Sequence, residues 1–347
     1  MLKTKNKFIK STFCVVLFFL FIAVVSARPI NLFKLNDNTL DIVQISDVHF
    51  DTKTKSNSKR MLEFSRDFLN DAISKVYDLT GAELVVFSGD IVNHSDKNEF
   101  LKFLNIVNKL CIPWYYAPGN HDIGIFGGLS KLDVTTLWLK NSKLLDRKNL
   151  CFDNQNSYYP ANHPLFYSYT PKKNFLLLFL DGVIDNEITA NGYFPKDELV
   201  WLENQLKNNL DKKVIIVQHF PVVEPFKSNS HVVRNADEYL KIIDKYSNVV
   251  AILSGHYHFA KITQRKNVLH ISTPALVEYP NAFREIKITK MNTGTKFEIR
   301  LIETKTIETN LQYAQKISKS RSKKTTLDNG QEYDRNAVII IKNPISQ

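Results

Sequence analysis

Short apolar runs alternate along the chain with longer stretches in which apolar residues recur every three or four positions. The first pattern predicts β-strands, and it occurs at residues 41–45, 84–87, 113–117, 176–180, 214–217 and 249–253. The second predicts helices over residues 61–76 and 100–110, after Pro195 and around Ile242. Strands that alternate with helices in this way predict an α/β fold.

The last third of the chain has a different pattern. Residues 282–288 and 297–304 are strand-like and flank the turn residues at 292–294, which predicts a β-hairpin. Residues 316–334 are rich in Lys, Ser and Asn, and we expect them to be loosely ordered. The least regular stretch, residues 124–164, is expected to be a loop region around a site.

The N-terminus has the three parts of a secretory signal peptide. Its basic part holds Lys3, Lys5, Lys7 and Lys10. A continuous apolar run at 13–25 follows, and Ser26 and Ala27 are small residues suited to a cleavage site. This order predicts a signal peptide over residues 1–27, a secreted, periplasmic or lumenal protein, and no membrane span after cleavage. The alternative is an uncleaved anchor, although the run is short for a span of about 20 residues.

Composition narrows the class of protein further. The chain has 347 residues, of which 44% are hydrophobic and 23% are charged. These values exclude a disordered chain, a collagen-like chain and a small disulfide scaffold. Cys14 lies in the predicted signal peptide, which leaves Cys111 and Cys151. In an oxidising compartment these two could form a disulfide, and two unrelated thiols are an equal alternative.

The net charge is unevenly distributed. It is +11 at pH 7 for the whole chain. The N-terminal leader and the residues from Thr306 onward both carry an excess of cations, so the body between them is only mildly basic. Such a body is compatible with an anionic substrate and does not require nucleic acid.

Polar residues that can bind metal follow five of the predicted strands directly. They are Asp47 and His49, Asp90, Asn120 with His121 and Asp122, His219, and His256 with His258. Ligands bind at the carboxyl ends of strands in an open α/β sheet, so these places can converge although they lie far apart in the chain. Any one of them could merely cap a strand. Together they hold five of the nine histidines, with Gly89, Gly119 and Gly255 beside them, and favour one shared site.

The spacing of these residues resembles the signature of the calcineurin-like metallophosphoesterases. The matching blocks are Asp47-Val48-His49, Gly89-Asp90, Gly119-Asn120-His121-Asp122, His219 and Gly255-His256-Tyr257-His258. The resemblance covers residues 39–305 and leaves 306–347 as a basic C-terminal tail. It implies a four-layer α/β/β/α sandwich, in which two mixed sheets are flanked by helices.

The resemblance also implies a dinuclear metal centre. One ion would be held by Asp47, His49, Asp90 and His258. The other would be held by Asp90, Asn120, His219 and His256, with Asp90 as the bridge. Mixed nitrogen and oxygen ligands favour Mn, Fe or Zn over Mg or Ca. A hydroxide that bridges the two ions would attack phosphorus in line with the leaving oxygen.

Three further residues have implied roles around the leaving group. By its position after Asn120, His121 would donate a hydrogen bond or a proton to the leaving oxygen, with Asp122 orienting it. His94 lies four residues after Asp90, a spacing similar to the acid-sphingomyelinase-like branch, where such a His helps with the leaving group. An exposed loop histidine is the alternative for His94.

The leading hypothesis is an exported hydrolase of small-molecule or lipid phosphate esters, with some preference for diesters. Two alternatives belong to other classes of protein. One is a metal-stabilised binding protein without turnover. The other binds nucleic acid or an anionic surface through the basic tail, although a solvated tail is the simpler interpretation of those charges.

Overall fold

The computed structural model describes residues 36–56, 58–124, 127–152, 165–305 and 309–343. The predicted signal peptide at 1–27 lies outside these residues. From Asp37 onward the chain forms one compact unit. Within the described residues, no helix is both long and apolar enough to cross a bilayer.

The described strands and helices largely follow the predicted alternation. The strands are β1 (Thr39–Ile45), β2 (Leu84–Ser88), β3 (Trp114–Ala117), β4 (Leu150–Phe152), β5 (Tyr167–Lys172), β6 (Phe175–Phe179), β7 (Lys213–Val217), β8 (Val249–Ser254), β9 (Lys261–Arg265), β10 (Val268–Ser272), β11 (Ala282–Met291), β12 (Gly294–Glu303) and β13 (Ala337–Lys342). The α-helices are α1 (Ser65–Asp78), α2 (Lys97–Val107), α3 (Lys131–Asn141), α4 (Lys196–Asn208), α5 (Ala236–Ile243), α6 (Thr309–Arg321), α7 (Thr325–Asp328) and α8 (Glu332–Arg335). Each predicted strand, and the predicted hairpin, has a counterpart in this list.

The strands form two mixed sheets. The first has the order β13-β12-β11-β1-β2-β3, and the second has the order β4-β5-β6-β7-β8-β10-β9. β1, β2 and β3 are parallel in the first sheet, as are β6, β7, β8 and β10 in the second. Ile45 pairs with Phe87, and Phe87 pairs with Tyr116. The carboxyl ends of the parallel strands therefore lie level with one another.

The two sheets pack against each other. Tyr115 of β3 stacks on Tyr169 of β5, with ring centroids 4.1 Å apart. Arg284 of β11 donates a hydrogen bond to the carbonyl oxygen of Ser272 in β10 at 3.1 Å. Strands β2 and β6 are buried along their whole length, which explains why β6 is apolar throughout and β2 is apolar up to its last residue, Ser88. The predicted sandwich of two mixed sheets flanked by helices is confirmed.

Local chemistry fixes where the helices begin. The carboxylate of Asp96 accepts hydrogen bonds from the backbone N–H groups of Asn98 and Glu99 at the start of α2. Helix α4 begins directly after Pro195, as predicted. Both helices bury one apolar face in the core.

Part of the stretch 124–164, which we expected to be a loop region, is helical. Helix α3 begins with a capping box in which Ser130 and Asp133 each accept a hydrogen bond from the other's backbone N–H. Val134 and Trp138 are fully buried on one face of this helix. The expectation was wrong here because a short buried stripe of Val134, Trp138 and Leu139 is enough to order the helix.

The C-terminal segment after Thr306, which we expected to be loosely ordered, forms regular structure in its described part. Helix α6 buries three side chains on one face, those of Leu311, Ala314 and Ser318. The Ser318 hydroxyl donates to the carbonyl oxygen of Lys59 and accepts from the backbone N–H of Tyr279, both at 2.7 Å. Strand β13 pairs with β12 at the edge of the first sheet. The expectation was wrong because a narrow buried stripe and backbone pairing order a segment of polar composition.

The two cysteines of the described region are separate thiols. Cys111 follows α2 and Cys151 lies in β4. Both are free and exposed. The sequence left open whether Cys111 and Cys151 form a disulfide or are two unrelated thiols, and in the structure they are two unrelated thiols.

Candidate metal centre

The strand ends named above meet at one place between the two sheets. Six of the predicted ligands are at most 6% exposed there: Asp47, His49, Asp90, His219, His256 and His258. Asn120 and His121, which follow β3, are half-buried beside them. Level strand ends in both sheets thus bring the predicted ligands together.

The first group of candidate ligands consists of Asp47, His49 and His258. Their ligand atoms lie within 4.8 Å of one another. Oδ1 of Asp47 is 3.2 Å from Nε2 of His258 and 3.9 Å from Nε2 of His49. The two Nε2 atoms are 3.3 Å apart. Three candidate ligand atoms therefore face one small space at the ends of β1 and β8.

The second group consists of Asp90, His219 and His256, again within 4.8 Å of one another. Oδ2 of Asp90 is 3.3 Å from Nε2 of His219, and Nδ1 of His256 is 3.1 Å from that same Nε2 atom. Asn120 contributes an amide oxygen that is buried and has no hydrogen-bond partner among the described residues. A buried oxygen without a partner is expected where a cation completes its surroundings.

Asp90 lies between the two groups. Its Oδ1 accepts a hydrogen bond from the backbone N–H of His121 at 2.9 Å. Its Oδ2 is 3.3 Å from Nε2 of His219 in the second group and 3.7 Å from Nε2 of His49 in the first. A single carboxylate oxygen thus faces both groups.

The donor set fits divalent transition-metal ions. Two pairs of imidazole nitrogens face each other at 3.1 and 3.3 Å. Between two facing ring nitrogens, one can donate a single proton to the lone pair of the other. A cation between them instead accepts the lone pairs of both nitrogens. Imidazole nitrogen together with carboxylate and amide oxygen is a ligand set suited to Mn, Fe or Zn.

The backbone at these ligands adopts a left-handed conformation. The φ angles are 49° at Asp47, 41° at His49, 51° at Asp90, 70° at His256 and 61° at His258. Asp, Asn and His are the non-glycine residues that enter this region most often. Each such residue costs of order 1–3 kcal/mol and persists where the surroundings fix it, which is typical of functional sites.

Glycines allow the backbone to approach the ligands closely. A Cβ atom on Gly119 would lie 2.2 Å from Oδ1 of Asp90. A Cβ atom on Gly255 would lie 2.3 Å from Oδ2 of Asp47. Both distances are far shorter than van der Waals contact, so a larger residue at either position would displace a candidate ligand.

The charges of the site hold protons on two histidines. Burial alone would lower the pKa of His219, but the carboxylates of Asp90 and Asp47 outweigh burial and raise this pKa to about 9. Burial would also lower the pKa of His258, yet Glu278 and Asp47 raise it to about 9. Burial would raise the pKa of Asp90, and the neighbouring imidazoles, His219 first, hold it well below its ordinary value. A bound cation would replace these protons, because an imidazole ligand must be neutral.

Glu278 belongs to the site and was missed by the sequence analysis. Its carboxylate accepts a hydrogen bond from Nδ1 of His258 at 2.8 Å. Lys59 and Arg60 bind the same carboxylate at 2.6 and 3.1 Å. A carboxylate on the far nitrogen of a metal-binding histidine fixes the orientation and the tautomer of the ring. The only sequence signal was a single acid inside the apolar stretch 274–280.

His121 is oriented by a backbone carbonyl. Its Nδ1 is 2.7 Å from the carbonyl oxygen of Asn93, which can only accept, so Nδ1 carries a proton. The Asp122 carboxylate accepts instead from the backbone N–H groups of Gly119 and Val92, at 2.8 and 3.1 Å. The expectation that Asp122 orients His121 is therefore wrong, because the carbonyl of Asn93 holds the ring and backbone donors from two loops engage both oxygens of Asp122.

Both residues predicted to act on the leaving group lie beside the two groups of ligands. A ring nitrogen of His121 is within 4.8 Å of the ligand atoms of His49 and Asp90. His94 is exposed and lines the same open cleft as Asn120 and His121. Their roles in proton transfer stay predictions.

Comparison with known proteins defines the class. A family model described as calcineurin-like phosphoesterase matches residues 40–260, more than half of the chain. The chain belongs to this family, and it is a phosphoric ester hydrolase. The resemblance seen in the sequence is thereby confirmed.

Individual relatives match over most of their own length. A Xenorhabdus bovienii protein described as a "probable cyclic nucleotide phosphodiesterase" is 25% identical over 259 residues, which cover 72% of this chain and 92% of that protein. An Arcobacter nitrofigilis "probable glycerophosphodiester phosphodiesterase" is 27% identical over 227 residues, which cover 64% and 73%. The crystal structure of a dimetal phosphatase from Danio rerio has a TM-score of 0.57 at 17% identity and covers 77% of this chain and 96% of that one. At this identity the structural likeness shows the fold alone.

Proposed function

We propose that this chain is an exported phosphodiesterase that works with two divalent metal ions. The observation that carries the proposal is the place of Asp90, since its Oδ2 faces both donor groups at 3.3 and 3.7 Å. A carboxylate that faces both groups can serve two adjacent ions. When bound, the ions would lower the pKa of water between them, supply a hydroxide near neutral pH and stabilise charge on the phosphoryl oxygens.

The ligand sets follow from the two groups. One ion is assigned to Asp47, His49, Asp90 and His258, and the other to Asp90, Asn120, His219 and His256. Hydrogen bonds to the far ring nitrogens support this assignment. His219 donates from Nδ1 to the carbonyl oxygen of Ser88 at 2.9 Å, which leaves Nε2 for a metal. Glu278 has the same effect on His258.

His121 is assigned to the leaving group. Its Nδ1 is occupied by the carbonyl of Asn93, so the other ring nitrogen is left to meet the substrate. In the imidazolium form this other nitrogen carries a second proton, and delivery of that proton to the leaving oxygen contributes about 10²–10⁴ in rate. His94, on the rim of the same cleft, is the second candidate for this role.

The shape of the site supports a diester. One cleft is lined by His256 and His258, and a second is lined by Asn120 and His121. The centre is thus open in two directions, and a diester carries a group on each side of its phosphorus. Two relatives named as phosphodiesterases support the same substrate class.

Export rests on the N-terminal sequence. Its support is the order of basic leader, apolar run and small residues over positions 1–27. Proteolytic maturation at Ala27, measured by mass spectrometry of the protein produced in a secreting host, checks this part of the proposal.

A metal-reconstituted assay tests the activity. The purified protein is loaded with Mn²⁺ or Zn²⁺ and given bis(p-nitrophenyl) phosphate or p-nitrophenyl phosphate. We expect two ions per chain and a higher kcat/KM for the diester. Asp90→Asn should lose both metal and activity, whereas Asp67→Asn, at an exposed position of α1, should keep both.

Two results would contradict the proposal in different ways. Two bound ions without hydrolysis of either ester would favour the alternative of a metal-stabilised binding protein. A clear preference for the monoester would overturn the substrate class and leave the metal centre intact.

A further inference from the structure

The cleft beside His256 and His258 has the size of a small-molecule site. Its volume is about 740 Å³, inside the range of about 300–1,000 Å³ that is usual for such sites. Phe226, Tyr257 and Phe259 form an aromatic wall, in which the Phe226 ring centroid lies 5.0 and 4.7 Å from the other two. Tyr257 and Phe259 are only 5% and 6% exposed, so Phe226 supplies most of the accessible surface on which a flat ring of a ligand can pack.

Another wall of the cleft comes from the C-terminal segment. This segment lies outside residues 40–260, which the family model matches. It lines the cleft with Arg321, Ser322, Lys323, Lys324 and Asp328. Arg321 fixes it in place by donating to the carbonyl oxygen of Ser58 at 2.8 Å. The wall therefore comes from a part of the chain that the family model does not match.

The charged groups of the cleft differ in how far they are neutralised. Lys59 and Arg60 both bind the carboxylate of Glu278. The buried carboxylate of Asp328 accepts a hydrogen bond from the Ser322 hydroxyl.

Lys323 and Lys324 are both exposed at the cleft, and neither has an acidic partner in the part of the chain that the structure describes. Nζ of Lys324 lies 4.8 Å from the ring centroid of Phe226, at the aromatic wall. Two ammonium groups are thus left uncompensated close to the candidate metal ligands. They can bind an anionic group of a ligand that also reaches the ions.

We propose that Lys323 and Lys324 form a second anion site, and that the substrate is a nucleotide-like phosphodiester carrying an additional phosphate. The inference rests on the proposed phosphodiesterase activity. The diester phosphorus lies at the metal ligands, the flat base packs on the aromatic wall, and the additional phosphate meets the two ammonium groups. A diester with a single phosphate lacks the last contact.

Two chromogenic esters that differ only in the additional phosphate test this inference. They are thymidine 5'-(p-nitrophenyl phosphate) and the same ester phosphorylated at the 3' oxygen. With the metal-loaded full chain, we expect kcat/KM to be about tenfold higher for the 3'-phosphorylated ester, because its phosphate gains charged hydrogen bonds. Lys323→Ala/Lys324→Ala should bring the ratio of the two values close to one.

A matched variant controls for the loss of charge alone. Lys241→Ala/Lys316→Ala removes two exposed lysines outside the cleft and should keep the tenfold ratio. Hydrolysis of both esters at the same kcat/KM by the unmodified chain would overturn the inference and leave the proposed activity standing. The inference would also be overturned if the variant Lys323→Ala/Lys324→Ala, the cleft variant, kept the same ratio of kcat/KM values for the two esters as the unmodified chain.

Failure to hydrolyse either ester would contradict the proposed activity, and binding then decides the inference separately. By calorimetry, we expect thymidine 3',5'-bisphosphate to bind about tenfold more tightly than thymidine 5'-monophosphate, with the difference lost in the cleft variant. Equal affinities in the unmodified chain would overturn the second anion site.

Discussion

At the scale of single residues, His121 is the residue that we propose protonates the leaving oxygen. His121→Ala should keep both metal ions, because the Asp90 carboxylate is held by the backbone N–H at position 121 and not by the ring. It should lower kcat by about 10²–10⁴. The loss should be larger for an alkyl leaving group than for nitrophenoxide, which needs little protonation. Steady-state kinetics on both ester types and elemental analysis of the variant check this. A variant without metal would contradict the assignment.

Glu278 supports a second prediction at this scale. Glu278→Gln keeps the shape of the side chain but removes the charge that holds Nδ1 of His258. We expect metal affinity to fall by about 10–100-fold, as is usual when such a carboxylate is lost. Competition with a fluorescent chelator measures the affinity. The control is Glu298→Gln on β12, which carries the same change at a position that lines neither cleft of the site. Equal affinities in the two variants would contradict the role of Glu278.

The candidate ligands could be predicted from the sequence because metal-binding residue types follow five predicted strands, and the resemblance to the family implied how they divide into two sets. The groups that support them could not. Glu278 lies twenty residues after His258 and meets it only through the packing of the chain. The orientation of His121 depends on a backbone carbonyl, that of Asn93, which no side-chain motif records.

At the scale of elements, strand β1 carries a buried carboxylate whose charge opposes folding. Burial, followed by the charges of Glu285 and Glu83, raises the pKa of Asp41 from 3.8 to about 7. The folded protein thus binds this proton more tightly than the unfolded chain. The stability that the group contributes is complete below about pH 4 and is lost as the pH rises through 7. Asp41→Asn should raise the urea midpoint at pH 8 and change it little at pH 4.

Comparison with the original chain at each pH isolates the effect of Asp41. Asp67→Asn, at an exposed position on α1, serves as the control and should not change the pH dependence. An equal loss of stability at both pH values would mean that the Asp41 carboxylate makes a hydrogen bond that the fold needs.

Strands that are buried on both faces could be predicted from the sequence. Helices that bury only a few side chains on one face could not. Strands β2, β6 and β7 are apolar runs because each face packs on another layer. Helix α3 depends on a capping box and a short buried stripe around Trp138, and α6 depends on three small or apolar side chains. A stripe of so few buried residues gives too weak a hydrophobic period to distinguish a helix from a polar loop in the sequence.

At the scale of the whole molecule, the candidate ligands connect the two sheets. Asp47, Asp90 and Asn120 follow strands of the first sheet. His219, His256 and His258 follow strands of the second. Ions held by both sets would join the layers at their carboxyl edge, so occupancy of the centre should contribute to global stability.

Removal of metal should therefore lower the thermal midpoint. An ion present at about 1,000 times its dissociation constant stabilises the folded state by about 4 kcal/mol. We expect EDTA to lower the midpoint measured by calorimetry, and Mn²⁺ or Zn²⁺ to restore it. Asp90→Asn should respond to neither addition. Identical midpoints with and without chelator in the unmodified chain would show that the ions do not link the layers.

The left-handed backbone at Asp47, His49, Asp90, His256 and His258 also limits what natural variation can try at those positions. A replacement must tolerate the main-chain shape before its chemistry matters, and Asn and Gly do so best. In relatives that have lost catalytic activity, we therefore expect Asn or Gly at these positions more often than Glu, Leu or Val. Where such residues follow the strand ends of an inactive descendant, the main chain preserves a record of its ancestry.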